Sequence, residues 1–158
     1  MAILTDEMQR LIFEQRLCFI ATVCPDGTPN LSPKGTTTVF DDDHLVFADI
    51  ISPNTVANLR HNPAIEINVV DPFVRKGYRF KGTADIHETG EAYHRGLEVL
   101  RERGYNTDTV KHIVLVTIER ALPLLSPVYS TGANEGEVRA RWARHFTTLL
   151  TAAETDIS

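Results

Sequence analysis

The chain has 158 residues and carries a formal net charge of -5, with 42% hydrophobic and 23% charged residues. These values suit one globular domain with its own core, expected over residues 1–150, and they give no basic field to attract nucleic acid or anionic lipid. No apolar run reaches the roughly 18–20 residues of a membrane span, and the opening segment Met1 to Arg10 is too acidic for a signal peptide, so the expected compartment is the cytoplasm.

Taken in chain order, Met8, Leu11 and Ile12 repeat at helical spacing behind Thr5, with Asp6 and Glu7 in the first turn, and the helix is expected to end near Arg16. Cys18 to Val23 reads as a strand, and Pro25-Asp26-Gly27 as a turn in which Pro presets φ and Gly supplies φ > 0. A second strand is expected from Asn30 to Phe40. After the turn Asp41 to Asp43, His44 to Asp49 is a third. Ser52-Pro53 reads as a cap followed by Pro at the first helical position, opening a short helix that stops before Asn62-Pro63.

Ala64 to Val70 alternates as a strand and Asp71-Pro72 breaks it. Gly77 to His87 is a further strand, Glu91 to Arg103 a helix ended by Gly104, and His112 to Leu125 a long β segment. Glu135 to Leu150 reads as a basic amphipathic helix with Val138, Trp142, Ala143 and Phe146 at helical spacing. Thr151 to Ser158 is expected to fray. Strands that follow one another through tight turns pair antiparallel, and closing them into a barrel removes sheet edges. The expected fold is therefore mainly β: a six-stranded antiparallel split barrel of Greek-key type with short peripheral helices.

Two cysteines, Cys18 and Cys24, would lie about 20 Å apart on one extended strand, too far for a disulfide. The six histidines show no ligand spacing, so no metal site is expected. No P-loop, G-x-S-x-G or G-x-G-x-x-G occurs.

Three segments stand out. The helix start Ser52 to Thr55 could hold an anion, although many helices are capped without binding anything. Ser32-Pro33-Lys34-Gly35-Thr36 places Pro and Gly inside a strand. That pattern marks either close approach of a ligand, with Lys34 reaching a phosphate or an electron-rich ring, or a kinked edge strand with a solvated lysine. Tyr78-Arg79-Phe80-Lys81 sets aromatics on one strand face and cations on the other, which suits either a half-buried strand or stacking on single-stranded nucleic acid; in an acidic chain the former is expected, and no nucleic-acid partner.

In order and spacing these pieces resemble the pyridoxamine-5'-phosphate-oxidase-like family of FMN-binding split barrels. The resemblance is carried by Phe19 to Val23, Ser32 to Thr38, Ala48 to Thr55, Asn62-Pro63 and Gly77 to Ala84, over roughly residues 5 to 120. It implies an FMN-binding oxidoreductase with an electron donor such as NAD(P)H. Ser32, Pro33, Lys34, Gly35, Thr36 and Thr38 would lie along the isoalloxazine and phosphate. Ala48 and Asp49 would stand beside the ribityl chain, and Ser52, Asn54 and Thr55 at the phosphate. Gly77 and Tyr78 would face the flavin from the partner strand. The resemblance further implies a homodimer with the flavin at the interface; the basic C-terminal helix with Trp142 either covers that site or packs on its own barrel with its arginines solvated. Where pyridoxamine-phosphate oxidases place Arg and Lys at the phosphate, this chain has Pro33, Thr38, Asn54 and Thr55, which points toward the smaller flavin-reductase-like members. A non-catalytic flavin or haem carrier, or use of the deazaflavin F420, are the alternatives. The substrate is not indicated.

Overall fold

The structure is a computed structural model that describes the backbone of residues 3–155 and the side chains of residues 3–153. Helix α1 (Asp6–Gln15) starts where Thr5 accepts a hydrogen bond from the Met8 N–H, and it ends where Arg16 turns left-handed at φ 52°. The strands are β1 (Cys18–Val23), β2 (Pro29–Lys34), β3 (Thr38–Val39), β4 (His44–Asp49), β5 (Ala64–Asp71), β6 (Lys76–His87) and β7 (His112–Leu125). Between them stand α2 (Pro53–His61) and α3 (Gly90–Glu102). A 3-10 turn (Pro127–Thr131) and α4 (Glu135–Thr155) follow β7.

All seven strands form one antiparallel sheet in the order β2-β1-β5-β6-β7-β4-β3. Its two end strands, β2 and β3, are consecutive in the chain and joined only by residues 35–37. Four Cα steps span at most about 15 Å, so the sheet must curl until its ends lie within that distance, leaving an open seam. The resulting split barrel encloses Ile20, Leu45, Phe47, Ile67, Val69, Phe80, Val114 and Val116, all fully buried, with Ile12 of α1 closing one end. α3 covers Val46, Ala48 and Ile113 on the outside of the wall.

One strand more is present than the sequence predicts. The stretch expected as a single strand from Asn30 to Phe40 divides at Gly35 into β2 and β3, because the chain there passes from one end of the sheet to the other. Between Lys81 and Gly82 the register shifts by one, so that Glu119 of β7 is left over between the partners Arg120 and Ile118, a bulge that bends β7 where it crosses β6. At Gly82 a Cβ would stand 2.0 Å from the Thr117 carbonyl oxygen, so only glycine allows the strands this close.

The C-terminal helix continues to Thr155, beyond the expected end at Leu150; of the segment expected to fray, residues 156–158 lie outside the described residues. It docks on the β5–β6 turn. The Arg75 guanidinium lies 3.4 Å from the centroid of the Trp142 ring, Phe146 meets Phe73 edge-on at 5.2 Å, and Lys76 pairs with Glu135 at 2.9 Å. Among the described residues no helix is long and apolar enough to cross a membrane.

Candidate functional site

The junction of β2, the Gly35 turn and the start of α2 forms a cavity of about 430 Å³. Its walls are Asn30 to Thr36 on one side and Ala48 with Ile50 to Thr55 on the other. The volume lies within the range of cofactor sites. Of the residues expected at a binding site, Ser32, Pro33, Lys34, Gly35, Thr36, Ala48, Ser52, Asn54 and Thr55 all line it. Asn30, Leu31, Ile50, Ile51 and Pro53 line it as well, and the sequence did not single out their roles; Asn30 and Leu31 continue β2, and the two isoleucines form the link from β4 to α2.

Lys34 ends β2 with its side chain turned inward. It is 7% exposed, so the solvated-lysine alternative does not hold. Its Nζ donates to Ser32 Oγ at 2.5 Å, and among the described residues it has no carboxylate within ion-pair distance. Burial pushes the ammonium below the usual lysine range, and the nearby Asp49 charge partly opposes this. A buried cation without a counter-charge is costly, and the cavity is the direction from which an anion can relieve it.

Helix α2 opens on the same cavity. Ser52 stands at its N-cap, but its side chain makes no capping bond, contrary to the expectation that it would. Pro53 has no N–H to offer. The first-turn N–H groups of Asn54 and Thr55 therefore meet the cavity with the positive end of the helix dipole behind them. No acidic residue sits in that first turn. The cavity brings together one buried ammonium, the start of α2 and the hydroxyls of Ser32, Thr36, Ser52 and Thr55. Lys34 is the sole titratable side chain among the residues that line it.

The loop before α2 is held from behind. Asp49 is buried, and it accepts the Ser52 N–H on Oδ1 at 2.8 Å and faces His112 Nδ1 with Oδ2 at 2.7 Å. Asp49 thus stands behind the cavity wall rather than on it. Thr36 ties the two walls together, since the Ala48 N–H donates to its Oγ1 at 3.1 Å. Thr38 is buried on β3 opposite Val46 and does not reach the cavity.

The remaining expected residues stand elsewhere in the protomer. Gly77 and Tyr78 line a second groove of about 300 Å³ between α1 and the far ends of β6 and β7. Trp142 lies against Arg75 on α4. The basic stripe of β6 is half neutralised within the sheet, because Arg79 and Lys81 share one carboxylate, Glu66, at 2.9 and 3.1 Å. Phe80 is fully buried in the core, whereas Tyr78 is half-buried. Cys18 and Cys24 are both free thiols. Among the described residues no group of His, Cys, Asp and Glu is arranged to hold a metal ion.

The family model described as pyridoxamine 5'-phosphate oxidase matches residues 4–123. The chain belongs to that family. The match takes in β1 to β6, most of β7 and the cavity, and it ends before α4. HupZ of Group A Streptococcus, solved in tagged form, is 34% identical with a TM-score of 0.69, over 77% of this chain and 94% of that one. The uncharacterized protein MJ0282 of Methanocaldococcus jannaschii is 31% identical over 90 residues, which is 56% of this chain and 59% of that one. The chain therefore matches under two thirds of the length of that curated relative. An FMN-binding protein from Syntrophomonas wolfei shares the fold at 19% identity and a TM-score of 0.61, over 76% of this chain and 85% of that one.

Proposed function

We propose that this chain binds FMN in the cavity between β2 and α2 and acts as a flavin-dependent oxidoreductase. The observation that carries the reading is a buried lysine without a carboxylate partner on the same cavity as an uncapped helix N-terminus. A terminal monophosphate supplies the missing counter-charge and accepts from the free N–H groups of Asn54 and Thr55. The residues of β2 and the Gly35 turn extend the wall far enough to support a ring beside that phosphate. FMN is favoured over FAD because the helix start and Lys34 suit a terminal monophosphate.

The bound flavin would supply the electron-transfer chemistry. The chain's own residues bind, orient and tune. With Lys34 as the one titratable side chain on the wall, acid–base catalysis by the protein has no further candidate there, and Lys34 is placed to offset developing negative charge. The positions where pyridoxamine-phosphate oxidases carry Arg and Lys are Pro33, Thr38, Asn54 and Thr55 here, so oxidation of a vitamin B6 phosphate is not proposed. A donor such as NAD(P)H fits the reading, and its consumption by the yellow protein would separate an enzyme from a carrier.

The site is completed by a homodimer. Leu31 is 66% and Ile51 86% exposed on the cavity rim, and a tricyclic ring resting there meets water until another chain covers it. Gly77, Tyr78 and Trp142, which stand on other faces of the protomer, could reach such a site only from a second copy.

The direct test of the site is calorimetric titration of FMN into the wild type and Lys34→Ala. Hydrogen bonds to charged groups are worth about 1.5–3 kcal/mol, so the dissociation constant should rise at least about tenfold. Identical titration curves would contradict the assignment.

A further inference from the structure

Behind the cavity runs a chain of polar groups that the chemistry above does not use. His112 opens β7 and lies between two carboxylates. Its Nδ1 is 2.7 Å from Asp49 Oδ2 and its Nε2 3.2 Å from Glu88 Oε1. Arg60 of α2 pairs with the same Glu88 oxygen and stands 3.3 Å from His112 Nε2. The residue before His112 joins in through its backbone, where the Lys111 N–H donates to the Asp49 carbonyl at 2.9 Å.

The Asp49 carboxylate is thereby divided. Oδ1 receives the Ser52 N–H, and Oδ2 faces the imidazole. An ionised carboxylate only accepts, so Nδ1 must be the protonated nitrogen in this contact. With both oxygens engaged the carboxyl group has one orientation, and Ser52 is held at the spot from which α2 starts. Without the imidazole, Oδ2 is a buried acceptor with no partner, and the group is free to turn away from Ser52 or to draw toward Lys34, whose charge it already feels. Either movement disturbs the anion site.

We infer that His112 is a positioning residue for the phosphate end of this cavity, acting through Asp49 on the Ser52 amide and hence on the first turn of α2. Glu88 and Arg60, paired with each other, flank the outer nitrogen, which donates to Glu88 when it carries a proton and accepts from Arg60 when it does not. The inference rests on the proposed FMN site and extends it to residues that do not touch the ligand.

The test compares FMN with riboflavin, which lacks the phosphate, on wild type, His112→Leu and His112→Asn. Wild type should bind FMN at least about tenfold more tightly than riboflavin. In His112→Leu that preference should fall at least about fivefold with riboflavin affinity unchanged, and His112→Asn, which keeps a donor toward Oδ2, should restore most of it. Preference retained in His112→Leu, or equal weakening of both ligands, would overturn the inference, since a merely structural residue moves both. Hydrogen exchange at the Ser52 amide of the ligand-free protein provides a readout that needs no flavin. Protection should drop in His112→Leu and hold in His112→Asn, and unchanged exchange in His112→Leu would refute the positioning role. A wild type without preference for FMN, but with the expected exchange pattern, would instead remove the phosphate reading of the cavity. Should His112→Leu not fold, the exposed change Glu88→Ala keeps the question open to measurement: it should lower the preference about threefold, and no change there would contradict the inference.

Discussion

Cys18 begins β1 with its side chain fully inside the barrel, and burial pushes its thiol up to about 12, a hydrogen bond with Thr37 opposing this in small part. The unfolded thiol ionises near 9.0, so the folded state holds its proton more tightly. The contribution to stability is complete below pH 9 and is lost as pH rises from there toward 12, because the unfolded chain then gains by ionising. We expect the wild type to lose up to about 1.4 kcal/mol per pH unit on that alkaline limb, and Cys18→Ala to show a flatter one in urea melts recorded from pH 8 to 11. Parallel limbs would contradict this. The thiolate is the reactive form, so native protein should react with thiol reagents at Cys24 and not at Cys18. At this scale the sequence was informative where a residue is chemically out of place. Pro and Gly inside a strand flagged Ser32 to Thr36, and Pro at a helix start flagged Ser52 to Thr55; the structure brings both onto one cavity. His112 carried no such flag, because its partner Asp49 is 63 residues away and only the pairing of β4 with β7 joins them.

Among the elements, β6 and β7 meet at the bulge that bends the sheet. At Gly82 an added Cβ would meet the Thr117 carbonyl at 2.0 Å, and at Gly77 the Val69 carbonyl at 2.0 Å, in both cases backbone that cannot swing aside. Gly82→Ala should therefore destabilise the fold by about 3 kcal/mol or more, beyond the few tenths expected of a surface change. Thermal unfolding followed by circular dichroism checks it, and an unchanged midpoint would show that the bulge relaxes freely. Element types were largely legible because turn chemistry and alternation agree along most of the chain. The division of the second strand was not. Thr36 to Phe40 continues the residue pattern of β2, and only the need to cross the open seam of the barrel makes the chain turn at Gly35. Helix α4 shows a related limit. Its apolar spacing was visible, but the periodicity could not say that Trp142 would stack on Arg75, a left-handed residue in a turn at φ 58°.

At the scale of the whole molecule, the curled sheet places its polar cavity on the outside. The barrel interior is filled by its own side chains, so a flavin has to lie on the wall. The exposed Leu31 and Ile51 on the rim, with Phe19 exposed on the neighbouring strand β1, leave that wall apolar and uncovered in one protomer. Sedimentation equilibrium at micromolar concentration should return twice the 17.7 kDa chain mass for the flavin-loaded protein, and a monomer would remove the shared-site arrangement. If the dimer is present and Trp142→Ala leaves FMN affinity unchanged, the dimer stands and α4 is not the cover. The most direct measurement is of the ligand itself. Protein purified after incubation with FMN should be yellow, and mass spectrometry of the chromophore released by denaturation should give FMN at one per chain. Release of FAD, F420 or haem, or of no chromophore at all, would contradict the account.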